Sequence, residues 1–364
     1  MLTLQTAVTL SLLPGRSRLD AAARIREQWP DLFTLPSACG PSLDALAGQA
    51  APQLAAEPAL LRRLQAAAAA ALARADSAGI VPVPVTGAAY PARLRAIADA
   101  PLVLWTLGET DALRAPAVAI VGARAATPAG REMAHWLARE LAAEGLVVVS
   151  GLARGIDAAA HEGALVSGRT VAVLGSGVDV IYPPGHRGLA ARVATRGTLV
   201  SEFVPGTAPH AHHFPMRNRV ISGLALGVVV VEAAEHSGSL ITARCALEQG
   251  RDVMACPGNP RSGRNRGAHG LLRDGARLVE SARDVLEEIG WYGSGTGRPG
   301  EPSGGAASAD PILSAMPVGE PVTLEELGAI VTAPIHALLT RLTEAELAGH
   351  VERVEGGRFV RVAR

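Results

Sequence analysis

Four groups of residues in this chain carry chemistry that could hold an anion or move a proton. The first is the triplet Arg217-Asn218-Arg219, preceded by Phe214 and standing shortly before the apolar run "GVVVVEA" at 227–233. A guanidinium is a planar, always-charged fork suited to oxyanions, so two of them beside a core element need an explanation. The second group is a pair of glycine–arginine turns: "IVGARAATPAG", with Gly122, Arg124 and Thr127, and "SGLARGIDAAAHEGAL", with Gly151 and Arg154. The third is Ser237-Gly238-Ser239 in "EHSGSLITA", small residues opening a helical stretch. The fourth comprises Asp157 with His161, the histidines 210, 212 and 213, and Glu232 at the end of the apolar run.

Catalytic and metal chemistry are the weaker readings of these groups. Asp157 and His161 share one helix face, but no nucleophile or second carboxylate joins them on that face, which favours structural hydrogen bonding. His212 and His213 are adjacent and cannot both face one ion from a strand, and His210 adds no nearby acid. A solvated loop is expected, with no metal. "GSGVDV" invites a dinucleotide reading, yet Val180 stands where the third glycine belongs, and the chain has no phosphate-loop lysine. No cofactor is expected. Glu232 fits either a base or a partner for a neighbouring arginine.

The elements that must position these residues are legible from hydrophobic pattern. Short apolar runs at 117–123, 146–150, 170–175, 198–203, 227–233, 252–258 and 276–281 alternate with helical stretches such as "GREMAHWLARELAAEG". Continuous apolar strands between helices predict a doubly wound, mostly parallel sheet, an extended Rossmann-like α/β fold. In such sheets ligands bind beyond the carboxyl ends of the strands, where helix N-termini offer N–H groups. Gly122, Arg124 and Thr127 fall at such a position, with Thr127 able to cap the next helix and Pro128 suited to its first turn.

Composition divides the chain into four zones. Residues 1–76 are rich in Ala and Leu and read as a small all-helical domain; residues 77–290 form the α/β domain; residues 291–309 are a Gly/Ser/Pro linker. Residues 310–364 read as helix, turn, helix opening at Pro334, and a hairpin across Gly356-Gly357, a winged-helix outline. That tail holds five arginines against eight acidic residues, which disfavours a phosphate-neutralising role and favours a protein-contact or structural one.

The formal net charge is zero and all 34 basic residues are arginine, so any anion site comes from local clustering. Residues 154–277 hold fourteen arginines against nine acidic residues. The cysteines Cys39, Cys245 and Cys256 are odd in number and lack metal spacing, which suits a reducing compartment. The amino terminus shows no basic leader, and no apolar run reaches about 18 residues, so a cytoplasmic protein without a membrane span is expected.

Together the turns resemble the DNA-processing protein A family of bacterial natural transformation. The resemblance rests on "AIVGARAATPAG" (119–130), "SGLARGIDAAAHEGAL" (150–165), "TVAVLGSGVDVIYPPGH" (170–186) and "LVSEFVPGT" (199–207). It continues through "FPMRNRVISGL" (214–224), "VVVEAAEHSGSLITARCALEQGRDV" (229–253) and "PGNPRSGRNRGAHGLLRDGA" (257–276). Residues 1–76 are similar in position to the family's helix-hairpin-helix-like domain, with "LPGRS" as the hairpin, and residues 310–364 look like its winged helix. The resemblance implies a non-enzymatic, homodimeric single-stranded DNA binder. Such a protein protects incoming strands in competence and helps load RecA recombinase past single-strand-binding protein. It assigns DNA-facing positions to Arg124 and to Arg217, Asn218 and Arg219, with Phe214, Gly122, Thr127 and Ser237 to Ser239 in the same crevice, and with Gly151 and Arg154 added. Ala123 departs from the family's usual Ser or Thr, and Pro184 from a common basic residue. The triplet itself divides into Arg217 facing DNA and Arg219 as either a DNA contact or a core-rim partner for Glu232 or Glu202.

A different class competes with this reading. Nucleotide phosphoribohydrolases of the lysine-decarboxylase-like group share the architecture, but their "PGGxGTxxE" loop has no counterpart here, where "PGNPRSG" stands. An interaction scaffold with a vestigial anion site is the third possibility.

Overall fold

The computed structural model describes residues 3–13 and 57–291 and, between 316 and 361, a subset of the C-terminal residues. Most of the residues assigned from sequence to the helical domain, its "LPGRS" hairpin included, lie outside the described residues, as does the linker from 292 onward. The chain divides into two compact units, 1–296 and 297–364.

In the first unit nine strands form one sheet in the order β1-β2-β6-β5-β4-β3-β7-β8-β9. They are β1 (Val81–Pro84), β2 (Val103–Gly108), β3 (Ala117–Val121), β4 (Val147–Ser150), β5 (Thr170–Val173), β6 (Thr198–Ser201), β7 (Gly227–Val230), β8 (Asp252–Ala255) and β9 (Arg277–Leu278). Strands β3 to β9 pair in parallel, and β1 and β2 are added antiparallel on one edge. The sequence pattern places all seven parallel strands and misses both antiparallel ones. "VPVP" carries two prolines, which demote a strand reading, and proline is tolerated there because β1 is the edge strand.

The parallel strands are apolar throughout because both faces are covered. Ala117, Ala119, Val121, Val147 and Val149 point into one core layer, while Val118, Ile120 and Val148 point into a second. That alternation is the period of a strand, with each face meeting its own helices. Helices α4 (Pro128–Ala143) and α5 (Ile156–Ser167) cover the second layer through Leu137, Leu141, Ala160 and Ala164. Helices α6 (Arg187–Arg196), α7 (His213–Leu224) and α8 (Ser239–Glu248) cover the first, joined by α1 (Leu4–Ser11) and α2 (Pro58–Ser77). Short helices α3 (Ala92–Arg95), α9 (Arg266–Arg273) and α10 (Ala282–Glu288) complete the unit.

In the second unit β10 (Pro321–Val322), β11 (Val351–Val354) and β12 (Arg358–Arg361) form an antiparallel sheet in the order β10-β12-β11. Val354 pairs with Arg358, so the hairpin falls where Gly356-Gly357 predicted it. Leu327, Leu338, Leu342, Val351 and Phe359 make its own small core.

Candidate functional site

Strand order reverses between β3 and β7: successive strands run outward from β3 to one side and from β7 to the other. The loops leaving such a point diverge and open a crevice at the carboxyl edge. Here that crevice is a cleft of about 1210 Å³. Six loops and α7 line it, contributing Gly122 and Arg124 after β3, Ala153 after β4 with Asp157 of α5, Tyr182 after β5 and Pro209 after β6. Ser237 to Ser239 follow β7, and Ser262 to Arg266 with the exception of Asn265 follow β8.

One wall is a row of flat groups. The Arg124 guanidinium lies 5.2 Å from the Phe214 ring centroid, and the Tyr182 ring is 5.5 Å from the same ring, tilted by 41°. Arg124 and Tyr182 are exposed. A guanidinium over a ring is held in place while its N–H edge stays available to solvent, and exposed rings offer faces on which planar groups stack.

The floor is a buried charge network. Arg217 is only 5 % exposed, and its Nη1 donates to the carbonyls of Gly151 (2.7 Å) and Val173 (2.5 Å), the ends of β4 and β5. Its Nε donates to Asn218 Oδ1 at 3.0 Å, and its Nη2 lies 3.9 Å from Asp157 Oδ2. Asp157 accepts from the amides of Gly151 and Ala153. Burial lowers Arg217 to about 10, against the pull of Asp157, so it remains cationic at neutral pH. Burial likewise raises Asp157, with Arg217 opposing. Gly151 must be glycine because a Cβ there would sit 2.1 Å from the Arg217 guanidinium.

Below this floor, His161 holds the loop after β4. Leu152 adopts φ 56°, a left-handed conformation that costs a branched side chain energy, and its N–H donates to His161 Nε2. That fixes the tautomer: Nδ1–H donates to Thr170 Oγ1 at 2.7 Å, and Thr170 donates to the Val148 carbonyl. The expectation of a structural role for Asp157 and His161 therefore matches their surroundings.

Of the candidate residues, the cleft brings together Gly122, Arg124, Phe214, Arg217, Asn218, Ser237, Gly238 and Ser239. Asn218 Nδ2 donates to the Gly238 carbonyl, tying α7 to the opening of α8, and the Ser237 and Ser239 hydroxyls lie 2.8 Å apart. Four candidates take other places. Arg219 is buried and paired with Glu202 and Asp99, each at 2.9 Å. Of the two readings open for it, a DNA contact or a core-rim partner, its surroundings match the partnership with Glu202, with Asp99 as a second carboxylate. Arg154 is exposed but stands outside the cleft lining. Gly151 lies beneath Arg217.

Thr127 caps α4, its hydroxyl accepting from Gly130 N–H, and both its N–H and its hydroxyl donate to the Glu232 carboxylate. Among the described residues Glu232 thus pairs with no arginine. It fills the helix N-terminus where a nucleotide phosphate sits in dinucleotide-binding sheets, which argues against such a ligand at this turn. His213 differs from the expected solvated loop: it opens α7, buried, and stacks on Phe203 with centroids 4.0 Å apart. Among the described residues no group of three His, Cys, Asp or Glu could hold a metal ion.

The sequence reading passed over Arg264 and Arg266, both exposed and both lining the cleft from the loop before α9. Their signal was the arginine-rich "PRSGRNRG", but only the sheet order sets that loop beside the one carrying Arg124.

The chain matches the family model for DNA recombination-mediator protein A over residues 83–290, and the DprA winged helix domain over residues 297–357. It is 41% identical to Protein Smf of Escherichia coli (strain K12) over 296 residues, spanning 78% of this chain and 77% of that protein. It is 47% identical to DNA processing protein DprA of Streptococcus pneumoniae over 201 residues, 55% of this chain and 71% of the other. Among solved structures it resembles the X-ray structure of DNA processing protein A from Streptococcus pneumoniae, with TM-score 0.68 and 35% identity over 79% of this chain and 98% of that one. It also resembles DNA processing protein A from Helicobacter pylori, with TM-score 0.51 and 31% identity over 55% of this chain and 92% of that one. That structure is described as giving insight into a single-stranded DNA binding mode.

Proposed function

Because the chain belongs to the DNA recombination-mediator protein A family, we propose that it binds single-stranded DNA in the switch-point cleft and acts as a recombination mediator. The observation that carries this reading is the Arg124–Phe214–Tyr182 row. A single strand exposes phosphates for the guanidinium and base faces for the rings, whereas a duplex hides its bases from stacking. Arg217 serves as the pin that fixes the strand-end loops and α7, and Arg124 as the direct phosphate contact. Ser237 to Ser239 border the same path.

The role is binding without covalent chemistry. The cleft's buried carboxylate, Asp157, is engaged by two amides and Arg217, and Glu232 by Thr127, so neither stands as a base toward the cleft. As a homodimeric cytoplasmic mediator, the protein would protect strands and help RecA recombinase displace single-strand-binding protein. Among the described residues no helix is long and apolar enough to cross a membrane.

The test is anisotropy with labelled oligo-dT against a duplex across a salt series. Single-strand binding is expected to dominate and to weaken steeply with salt. Arg124→Ala should flatten the log–log salt slope by about 0.7, one phosphate's share for a single strand. Phe214→Ala should cost about 1–3 kcal/mol, the range for one base stack, with little change in slope. Equal affinity for both DNA forms would rule the reading out. Release of free base from nucleoside monophosphates would favour the phosphoribohydrolase alternative.

A further inference from the structure

We propose that Arg264 and Arg266 form a second phosphate-binding wall of the cleft, so that one single strand crosses the whole switch point from Tyr182 to Arg266. This rests on the cleft being the single-strand site.

The argument begins with how the loop is held. Asn265, between the two arginines, is 5 % exposed, and its Oδ1 accepts from the Ala233 N–H at 3.0 Å, just beyond the end of β7. Gly267 N–H donates back to the Ala233 carbonyl at 2.9 Å. Gly258 lacks the Cβ that would lie 2.0 Å from the Asn265 amide nitrogen, so the amide packs directly on the backbone leaving β8. One donor of Arg264, Nη1, reaches the Ala125 carbonyl at 3.2 Å and ties this loop to the one carrying Arg124. Buried Asn265 is therefore an anchor. The residues on either side of it are exposed and line the cleft. Two guanidiniums on an anchored loop need little further ordering to meet an anion, which is the condition for a strong contact.

Direction and length follow from sheet order. Tyr182 leaves the carboxyl end of β5, and Arg264 and Arg266 follow β8, with β4, β3 and β7 between. Four inter-strand spacings of about 4.8 Å make a path of roughly 19 Å. At about 3.4 Å per nucleotide, the rise in a duplex strand, that accommodates roughly five or six nucleotides. The path differs along its length: the Tyr182 and Phe214 rings stand toward the first end, Arg124 follows the central strand β3, and at the second end the described lining holds two arginines without a ring. Bases stack at one end and phosphates dominate at the other. Glu235, exposed on the same rim, disfavours phosphate between the walls near Ser237 and leaves the second wall as the next cationic point.

The experiment uses the full chain with oligo-dT of increasing length in a salt series. The variants are Arg264→Ala/Arg266→Ala, Arg264→Lys/Arg266→Lys and, separately, Arg124→Ala. Loss of two single-strand phosphate contacts should flatten the salt slope by about 1.4, which at 0.1 M salt is about 25-fold weaker binding. The alanine pair should also stop gaining affinity at a shorter oligomer than the unaltered protein. The lysine pair, which keeps the charge, should retain most of the slope. An unchanged slope in the alanine pair, while Arg124→Ala lowers it, overturns the second wall and leaves the cleft reading standing. A lysine pair as weak as the alanine pair overturns it too, assigning the guanidiniums to the loop tether. If the unaltered protein shows no salt-sensitive single-strand binding, the inference falls together with the reading it rests on.

Discussion

Arg217→Ala should lower the melting temperature by roughly 10 °C, far more than removal of an exposed arginine would. The substitution deletes one partner of a buried ion pair and leaves the buried Asp157 carboxylate without its cation. Breaking such a pair costs about 3–5 kcal/mol, and a unit of this size loses about 2–4 °C per kcal/mol. The Gly151 and Val173 carbonyls lose their donor in the same step. Adding Asp157→Asn should recover part of the loss, because the uncompensated charge is then gone and the two sites share one network. DNA binding should fall in the single variant through disorder of α7, which carries Phe214 and Asn218. A variant that melts like the unaltered protein, yet binds with a salt slope flatter by about 0.7, would mean that Arg217 meets phosphate directly. The buried-pin account would then be wrong.

The second large effect is acid lability centred on His161. Burial, aided by the charges of Arg217 and His186, lowers this imidazole from 6.5 to about 3. The unfolded chain therefore binds the proton first as pH falls. The stability contributed by neutral His161 is complete above pH 6.5 and is lost as pH falls from there toward 3. The loss is about 1.4 kcal/mol per pH unit, approaching roughly 4–5 kcal/mol in all. Asp157, raised by burial, works in the opposite sense above its ordinary value of 3.8 and offsets part of the loss. Gln in place of His161 can accept from Leu152 N–H and donate to Thr170 without titrating. Urea unfolding at pH 7 and pH 4.5 should therefore show a steep drop for the unaltered protein and a shallower one for His161→Gln. Equal drops in both would remove His161 as the cause.

Much of the site was legible before the fold. Glycine and arginine at the ends of apolar runs marked the loops after β3 and β4, and Thr127 was readable as a cap, since its hydroxyl does accept from Gly130. What could not be read was the identity of Thr127's other partner. Glu232 lies 105 residues away, and only the pairing of β3 with β7 brings the two together. The same limit hid Arg264 and Arg266, because a loop's neighbour across a crevice is set by strand order and not by sequence distance.

The RNR triplet shows where the division falls. By itself the sequence placed Arg217 at the opening of a helix that runs up to a buried strand; α7 begins instead at His213, so both arginines lie inside it. At 3.6 residues per turn, two positions apart on a helix means about 200° of rotation, so the two guanidiniums must point to nearly opposite sides. Which side met what was decided only by packing. Asp99 and Glu202 neutralise Arg219 from one side, while the ends of β4 and β5 receive Arg217 on the other. Arg217 reaches the cleft as its floor, held by the chain's own carbonyls, and the exposed grip passes to Arg124, whose position over Phe214 exists only once β3 and α7 lie side by side. Local pattern fixes periodicity and turn chemistry, whereas the pairing of distant charges depends on contacts that no local pattern encodes.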